Sequence, residues 1–104
     1  MRITDVGTTA ILLLNPNPRR KRWQVQFLPN SVDAGNSGSL FISKGEVPSG
    51  VVGSPSQGEA LVPGAGIDEA DKTRQEDFCW KGSVWAVAAN ADQTIVFDEE
   101  IWPE

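Results

Sequence analysis

Turn-forming residues recur along the whole chain, and their spacing constrains the fold more than any other feature. Ten glycines and seven prolines divide the chain into short apolar segments, with a turn signal about every ten residues. The longest uninterrupted apolar run covers residues 84–89, ahead of residues 10–14, and both are far below the roughly 20 residues of a membrane-spanning helix. The chain has 104 residues, a common size for one domain. The pattern therefore predicts one β domain over residues 1–104, with no membrane contact.

The clearest predicted strand covers residues 22–28. Trp23, Val25 and Phe27 alternate there with polar side chains, which is the period-two pattern of a half-buried strand. Apolar and β-branched segments bounded by turn residues predict the other strands. These lie at residues 8–14, 40–42, 60–62, 76–80, 84–89 and 94–97.

The connections between these strands are predicted from their turn residues and charges. Residues 76–80 and 84–89 are expected to form a hairpin, because a short glycine-containing segment joins them. Residues 67–72 show no apolar stripe and are expected to form either one helical turn or an acidic loop. Residues 46–58 are expected to be a long loop or arm, and residues 98–104 an acidic C-terminal tail.

These elements together predict an all-β fold. About six to eight short antiparallel strands with little or no helix are typical of a β-sandwich or a jelly-roll-like domain. Periodicity alone does not choose between an immunoglobulin-like sandwich, a jelly roll and a small barrel.

The composition lacks residues that most catalytic sites need. Histidine is absent, which excludes Ser-His-Asp and Cys-His pairs and histidine-based metal sites. Cys79 is the single cysteine, so no disulfide forms within the chain, and a small buried thiol is the favoured interpretation. Acidic runs such as residues 98–100 are typical of solvated surfaces. Asp68, Glu69 and Asp71 offer oxygen ligands, but their spacing matches no known calcium loop. We expect no enzymatic activity, no metal and no cofactor.

Charge is distributed unevenly along the chain. Residues 1–44 carry six Lys or Arg against two Asp (+4), and residues 67–104 carry ten Asp or Glu against three Lys or Arg (-7). Such separation favours docking of identical subunits or of a charged partner. Four consecutive cations occupy residues 19–22, where nucleic acid binding is the less favoured interpretation. Protein contact or protection of a strand edge is the favoured one.

The chain contains four tryptophans and no tyrosine. Trp23, Trp80 and Trp85 lie in predicted strands and are interpreted as core or interface residues, with a sugar-binding platform as the alternative. Trp102 lies in the predicted tail, where the Ile101-Trp102 pair is expected to dock into a groove of its own chain or of a neighbour. The candidate protein-interaction residues are Arg19, Arg20, Lys21, Arg22, Trp85, Ile101 and Trp102.

Several segments follow one another in a recognisable order. NPNPRR (residues 15–20) leads into WQVQF (23–27), followed by GEALVPG (58–64), KGSVWAVAA (81–89) and TIVFDEE (94–100). In this order they resemble a family of small virion proteins of tailed bacteriophages, of the capsid decoration (cement) or head-fibre type. The chain departs from that pattern in residues 30–58 and at Ile101-Trp102.

The resemblance implies a β-sandwich or jelly-roll subunit, often a homotrimer, that binds the outside of an icosahedral head and reinforces it. Its expected partners are the major capsid protein or other virion proteins. Its expected place is the capsid surface, after synthesis in the host cytoplasm, without catalysis or cofactor. A host-recognition or carbohydrate-binding virion module is the alternative, and a small glycosidase would need a carboxylate pair facing a cleft.

Overall fold

Eight strands form two four-stranded antiparallel sheets in the computed structural model of the chain, which describes residues 1–32, 35–49, 57–73 and 79–103. None of these residues is helical. The strands are β1 (Arg2–Val6), β2 (Ile11–Leu14), β3 (Arg20–Phe27), β4 (Leu40–Lys44), β5 (Glu59–Leu61), β6 (Gly66–Ala70), β7 (Val84–Ala88) and β8 (Gln93–Ile101). The predicted all-β class is confirmed.

The order of the strands is that of a jelly roll. One sheet, sheet A, has the order β1-β8-β3-β6, and the other, sheet B, has the order β2-β7-β4-β5. The first strand pairs with the last, the second with the second-to-last, and so on inward: β1 with β8, β2 with β7, β3 with β6 and β4 with β5. This is the double Greek-key connection of a jelly roll, so the topology decides between the architectures that periodicity left open.

The core lies between the two sheets and is built from alternate residues of the strands. Trp23, Val25 and Phe27 are at most 1% exposed, as their alternation in β3 predicts. Val84 and Ala86 of β7 face them from sheet B and are fully buried. Both sheets therefore present one apolar face inward, and this burial is the main driving force for folding.

Three predictions are wrong at the edges of the sheets. β1 was not predicted, and the strand predicted at 8–14 begins only at Ile11. Residues 66–70 form β6 rather than a helical turn or an acidic loop. β6 is an edge strand beside β3, and its acidic side chains bond to β3 and β4. Bonds to neighbouring strands thus stabilise β6 as a strand, although its sequence shows no apolar alternation.

The predicted hairpin and the predicted tail are also corrected. β7 has β2 on one side and β4 on the other, which leaves no position for a hairpin partner. Cys79 and Trp80 lie outside any strand, and residues 74–78 lie outside the described part of the chain. The tail predicted at 98–104 is, as far as Ile101, the end of β8. Residues 50–56 of the predicted 46–58 arm are also outside the described part.

Asn36 fastens the loop after β3 to the beginning of β8. Its side chain is fully buried. It donates to the carbonyls of Leu28 (2.8 Å) and Thr94 (2.9 Å) and accepts from the Thr94 amide (2.7 Å). Gln93 is also buried and accepts the Ser37 amide at 2.8 Å. Buried amide side chains thus satisfy backbone groups that have no strand partner.

We expect Asn36→Ala to lower the free energy of unfolding by about 3 kcal/mol, because it leaves buried backbone groups without partners. Asn90→Ala is the matched control, since Asn90 makes its bonds to Ser37 at an exposed position. Urea denaturation of both variants measures the difference. Equal losses in the two variants would contradict this role of Asn36.

Candidate functional site

The basic segment at the start of β3 lies between the two acidic strands of the chain. β3 pairs with β6 on one side and with β8 on the other. Gln24 is level with Asp68 and Asp98, and Arg22 with Glu100. The ion pairs among the described residues are Arg20–Glu99, Arg22–Asp68, Arg22–Glu100, Lys44–Glu69 and Lys81–Asp71. The opposite charges expected to join subunits therefore bond largely within one chain.

Arg20 is the most buried of these cations, with 0% of its side chain exposed. Its Nε donates to Glu99 Oε2 at 2.8 Å, and its Nη2 donates to the Asn15 carbonyl at 2.6 Å. Its Nη1 donates to the carbonyls of Trp80 (2.9 Å) and Gly82 (2.8 Å). The guanidinium thus joins the β2–β3 connection, the segment before β7 and the end of β8. Arg20 has no surface to offer a partner, so its predicted role in protein contact is wrong.

Arg22 lies at the surface and forms a fork with Asp68. Its Nε and Nη2 donate to the two carboxylate oxygens at 2.9 and 2.5 Å. Donating to Asp68 raises the pKa of Arg22, and accepting from Arg22 lowers the pKa of Asp68. Exposed ion pairs contribute little to stability, so we expect this pair to add little to the free energy of unfolding.

Trp102 docks onto its own chain. Its amide donates to the Arg19 carbonyl at 2.8 Å, and its carbonyl accepts from Arg19 Nη2 at 2.6 Å. Lys21 Nζ lies 5.0 Å from the centre of the Trp102 ring, within the range of a cation–π contact. The indole Nε1 donates to Asp71 Oδ2 at 3.1 Å. The sequence left open whether the Ile101-Trp102 pair docks on its own chain or on a neighbour. In the structure Trp102 docks on its own chain, whereas Ile101 is 47% exposed.

Asp71, which the sequence suggested only as a possible metal ligand, is a buried acceptor. It accepts from the Cys79 amide at 3.0 Å, from Trp102 and, through a short bond, from Lys81. Lys81 Nζ also lies 3.1 Å from the Cys79 sulfur. Burial raises the pKa of the Cys79 thiol, and the nearby ammonium of Lys81 only partly opposes this. A thiol held in its neutral form is a poor nucleophile, which agrees with the structural interpretation of Cys79.

Glu69 is a second acceptor at the same end of the molecule. Its Oε1 accepts from the indole of Trp23 at 3.0 Å and from the Trp80 amide at 2.9 Å, and its Oε2 accepts from Lys44 Nζ at 2.8 Å. Burial alone would raise the pKa of Glu69, but these donors outweigh it and lower the pKa. Glu69 is therefore a structural carboxylate that joins β3, β4 and β6.

The outer faces of the two sheets differ in chemistry. The outer face of sheet A carries Arg22, Gln24, Asp98 and Glu100, which are charged or polar. The outer face of sheet B carries Leu12, Phe41, Trp85 and Val87, placed side by side by the register of β2, β4 and β7. Phe41 and Val87 are buried, whereas Leu12 is 42% exposed and Trp85 is half-buried. We call Leu12 and Trp85, which lie opposite each other, the apolar patch.

Two grooves lie at the open sides of the sandwich. One has a volume of about 410 Å³ and runs between the edges of β1 and β2, with Ile3 and Leu13 in its floor and Asp98 at its rim. The other has a volume of about 290 Å³ and lies between β4, β5 and β6, beside Trp23 and Lys44. Within the described ranges, no three His, Cys, Asp or Glu side chains are placed to hold a metal ion.

Comparison with known proteins gives no relative: no family model, no curated protein and no solved structure matches the chain. The described part of the chain also contains no helix long and apolar enough to span a membrane. The site is therefore interpreted from its own geometry.

We expect Arg20→Met to lower the free energy of unfolding by about 3–5 kcal/mol, because it leaves Glu99 and three carbonyls without their donor. Arg20→Lys should recover only part of this loss, since an ammonium cannot reproduce the fork of the guanidinium. Arg22→Met is the control at an exposed pair and should unfold close to wild type. Guanidinium denaturation measures all three, and equal stability of the Arg20 and Arg22 variants would refute the assignment.

The lowered pKa of Glu69 predicts acid sensitivity. A carboxylate whose pKa is lower in the folded protein adds stability above its ordinary pKa of 4.5, and that stability is lost as the pH falls through the folded pKa. Glu69→Gln should therefore be less stable than wild type at neutral pH, and the difference should shrink below pH 4.5. Thermal unfolding across pH measures it, with Glu59→Gln on exposed β5 as the control. A difference independent of pH would contradict the assignment.

Proposed function

We propose that this chain is a non-enzymatic structural subunit of a phage virion, an accessory protein that binds the outside of the head and stabilises it. Its partners in this proposal are the major capsid protein or another virion protein, and it acts as a homo-oligomer, with a trimer favoured. The place of action is the capsid surface.

One observation carries the proposal: the reactive side chains are used inside the fold, while an apolar patch lies outside it. Arg20, Glu69 and Asp71 each hold three or more groups of their own chain. Leu12 and Trp85 lie together on the outer face of sheet B, on strands whose other faces are fixed in the core. A rigid surface centred on a tryptophan is typical of a protein contact.

The architecture and the sequence resemblance agree with this proposal. Jelly rolls are found in viral capsid domains as well as in lectins and cupins. Because one fold serves many functions, the topology supports the proposal only together with the surface. The apolar patch faces away from the charged outer face of sheet A, so the two faces of the subunit would meet different surroundings in an assembly.

Trp85→Glu tests the proposal directly. We expect it to lower the oligomer mass measured by size-exclusion chromatography with light scattering and to abolish cosedimentation with phage heads, because it places a charge in an apolar contact. Gln26→Glu is the matched control, since it adds the same charge to the exposed outer face of sheet A. A wild-type protein that is strictly monomeric and does not cosediment with heads would contradict the proposal.

A carbohydrate-binding module is the second candidate, favoured by the half-buried Trp85 beside Ser43, since an accessible indole next to a hydroxyl suits a sugar ring. Trp80 suits this role less. Its Nε1 donates to the Ser83 carbonyl at 2.9 Å, and its ring lies so close to Gly82 that a Cβ there would fall 2.5 Å from it. Glycan binding that is lost in Trp85→Ala but kept in Trp80→Phe would favour this candidate over the capsid protein.

A further inference from the structure

β6 forms a free edge of sheet A. It pairs with β3 on one side, and among the described residues no strand lies on its other side. Its five residues are alternately exposed and half-buried, so this edge is open to solvent. β5, the edge strand of sheet B, precedes β6 by a short turn, and the free edges of the two sheets therefore lie on the same side of the sandwich.

The backbone groups of alternate β6 residues point to this free side. The amide of Asp71, just after β6, donates to the carbonyl of Lys21 beside it at 2.8 Å. In an antiparallel strand, alternate residues direct both their N–H and C=O groups to the same neighbour, so the odd-numbered residues of β6 bond to β3. Gly66, Asp68 and Ala70 direct their backbone groups away from β3, where no described strand accepts them.

The groove beside this edge has an apolar floor and a charged rim. It lies between β4, β5 and β6 and has a volume of about 290 Å³. Ile42 and Ile67 line its inner part, and Lys44, Glu46 and Glu59 are exposed at its rim. A long basic side chain fits these surroundings, because its methylene stem can cover apolar groups while its charged head stays in water.

The charges at the rim favour an incoming cation over an anion. Of the described residues that line the groove, Lys44 is the one cation, and it donates to Glu69 Oε2 at 2.8 Å. Glu46 and Glu59 form no ion pair with a described residue. The N-terminal ammonium of Met1 lies beside β8 near β1, at the opposite edge of sheet A. Two carboxylates thus remain for a cation from another molecule.

A shallow cavity lies on the outer face of the same edge. It has a volume of about 230 Å³, and Gly66, Gln24, Gln26 and Val96 are among the residues that line it. Gly66 cannot carry a side chain, since a Cβ there would fall 2.8 Å from the Val25 carbonyl oxygen. A strand added beside β6 would direct alternate side chains to the groove and to this cavity. Basic residues alternating with small apolar ones therefore suit the edge.

A second copy of β6 is a poor occupant. Antiparallel pairing of two β6 strands about their middle residue would place Asp68 opposite Asp68, and like charges in directly opposed positions destabilise a sheet. It would also bring two acidic groove rims together. The charge pattern thus favours a different chain as the occupant.

We propose that the free edge of β6 is a strand-addition site for an extended segment of a partner protein in which Lys or Arg alternates with small apolar residues. The segment bonds to the outward backbone groups of Gly66, Asp68 and Ala70, and its basic side chains cross the groove toward Glu46 and Glu59. Backbone bonds supply affinity, and the groove and its rim supply specificity. This inference rests on the proposed function and names the chemistry of one partner segment.

Hydrogen exchange in the intact ¹⁵N-labelled protein tests the edge. Without a ligand, the Asp68 and Ala70 amides should exchange faster than the Ile67 and Glu69 amides, which bond to β3. An acetylated and amidated peptide of alternating valine and lysine should slow exchange at Asp68 and Ala70, and the same peptide with glutamate in place of lysine should not. Slow exchange at Asp68 and Ala70 in the free protein, or protection by the lysine peptide that spares them, would overturn the proposal.

Variants complete the test. Glu59→Lys should weaken binding of the lysine peptide by about fivefold, because it replaces an attractive charge with a repulsive one. Asp5→Lys makes the same charge change on β1, at the other edge of sheet A, and should leave binding unchanged. Ala70→Pro removes an outward donor at a strand edge, where proline is tolerated, and should weaken binding while exchange at Ile67 and Glu69 stays slow.

Equal affinity for the two peptides, or equal losses in Glu59→Lys and Asp5→Lys, would also overturn the proposal. The oligomer mass and cosedimentation of wild type and Trp85→Glu are measured separately, so a failure here is distinguishable from a failure of the proposed function.

Discussion

The buried guanidinium of Arg20 is the interaction on which the rest of the structure depends. It lies where three parts of the chain meet, and its donors bond Asn15 from the β2–β3 connection, Trp80 and Gly82 from the segment before β7, and Glu99 from β8. These groups are far apart in sequence, so their meeting fixes the positions of both sheets at this end. A buried charge is tolerated only when it is fully bonded, and Arg20 meets that condition.

Around Arg20, the other charges of the chain are arranged for the fold rather than for a ligand. At the same end of the molecule, Glu69 accepts hydrogen bonds from Trp23 and Lys44, and Asp71 accepts one from Lys81. The positive first part of the chain and the acidic last part thus become neighbouring strands of one sheet. The chemistry left at the surface includes the apolar patch on sheet B, on which the proposed function rests, and the charged outer face of sheet A.

The sequence predicts best the features that depend on local pattern. The alternation of Trp23, Val25 and Phe27 predicts both β3 and its buried face, because successive side chains of a strand point to opposite sides of the sheet. β6 could not be predicted in the same way, since Asp68 and Glu69 become strand residues through partners in β3 and β4 that only the folded sheet brings close. The jelly-roll order likewise depends on contacts between the two ends of the chain.

The candidate site was predicted only in part, and for a related reason. Four adjacent cations have the pattern of a solvated surface, and nothing local distinguishes Arg20 from Lys21 or Arg22. The acceptors that bury Arg20 include carbonyls 60 and 62 positions away in sequence. Trp102 was predicted to dock, but its acceptor Asp71 was considered only as a possible metal ligand. Trp85 was predicted as an interaction residue, and it is half-buried on the outer face of sheet B. Its neighbour Leu12 could be identified only through the register of β2 and β7.

We propose that the charged side chains bond mainly within the fold, whereas an apolar surface joins the subunits of an assembly. Sedimentation velocity across a salt titration tests it most directly, because salt screens exposed ion pairs and strengthens apolar contacts. The account predicts an oligomer whose mass stays constant or increases from low salt to about 1 M salt, where the Debye length is about 3 Å. An oligomer that dissociates as salt is added, or no oligomer at any salt concentration, would contradict it.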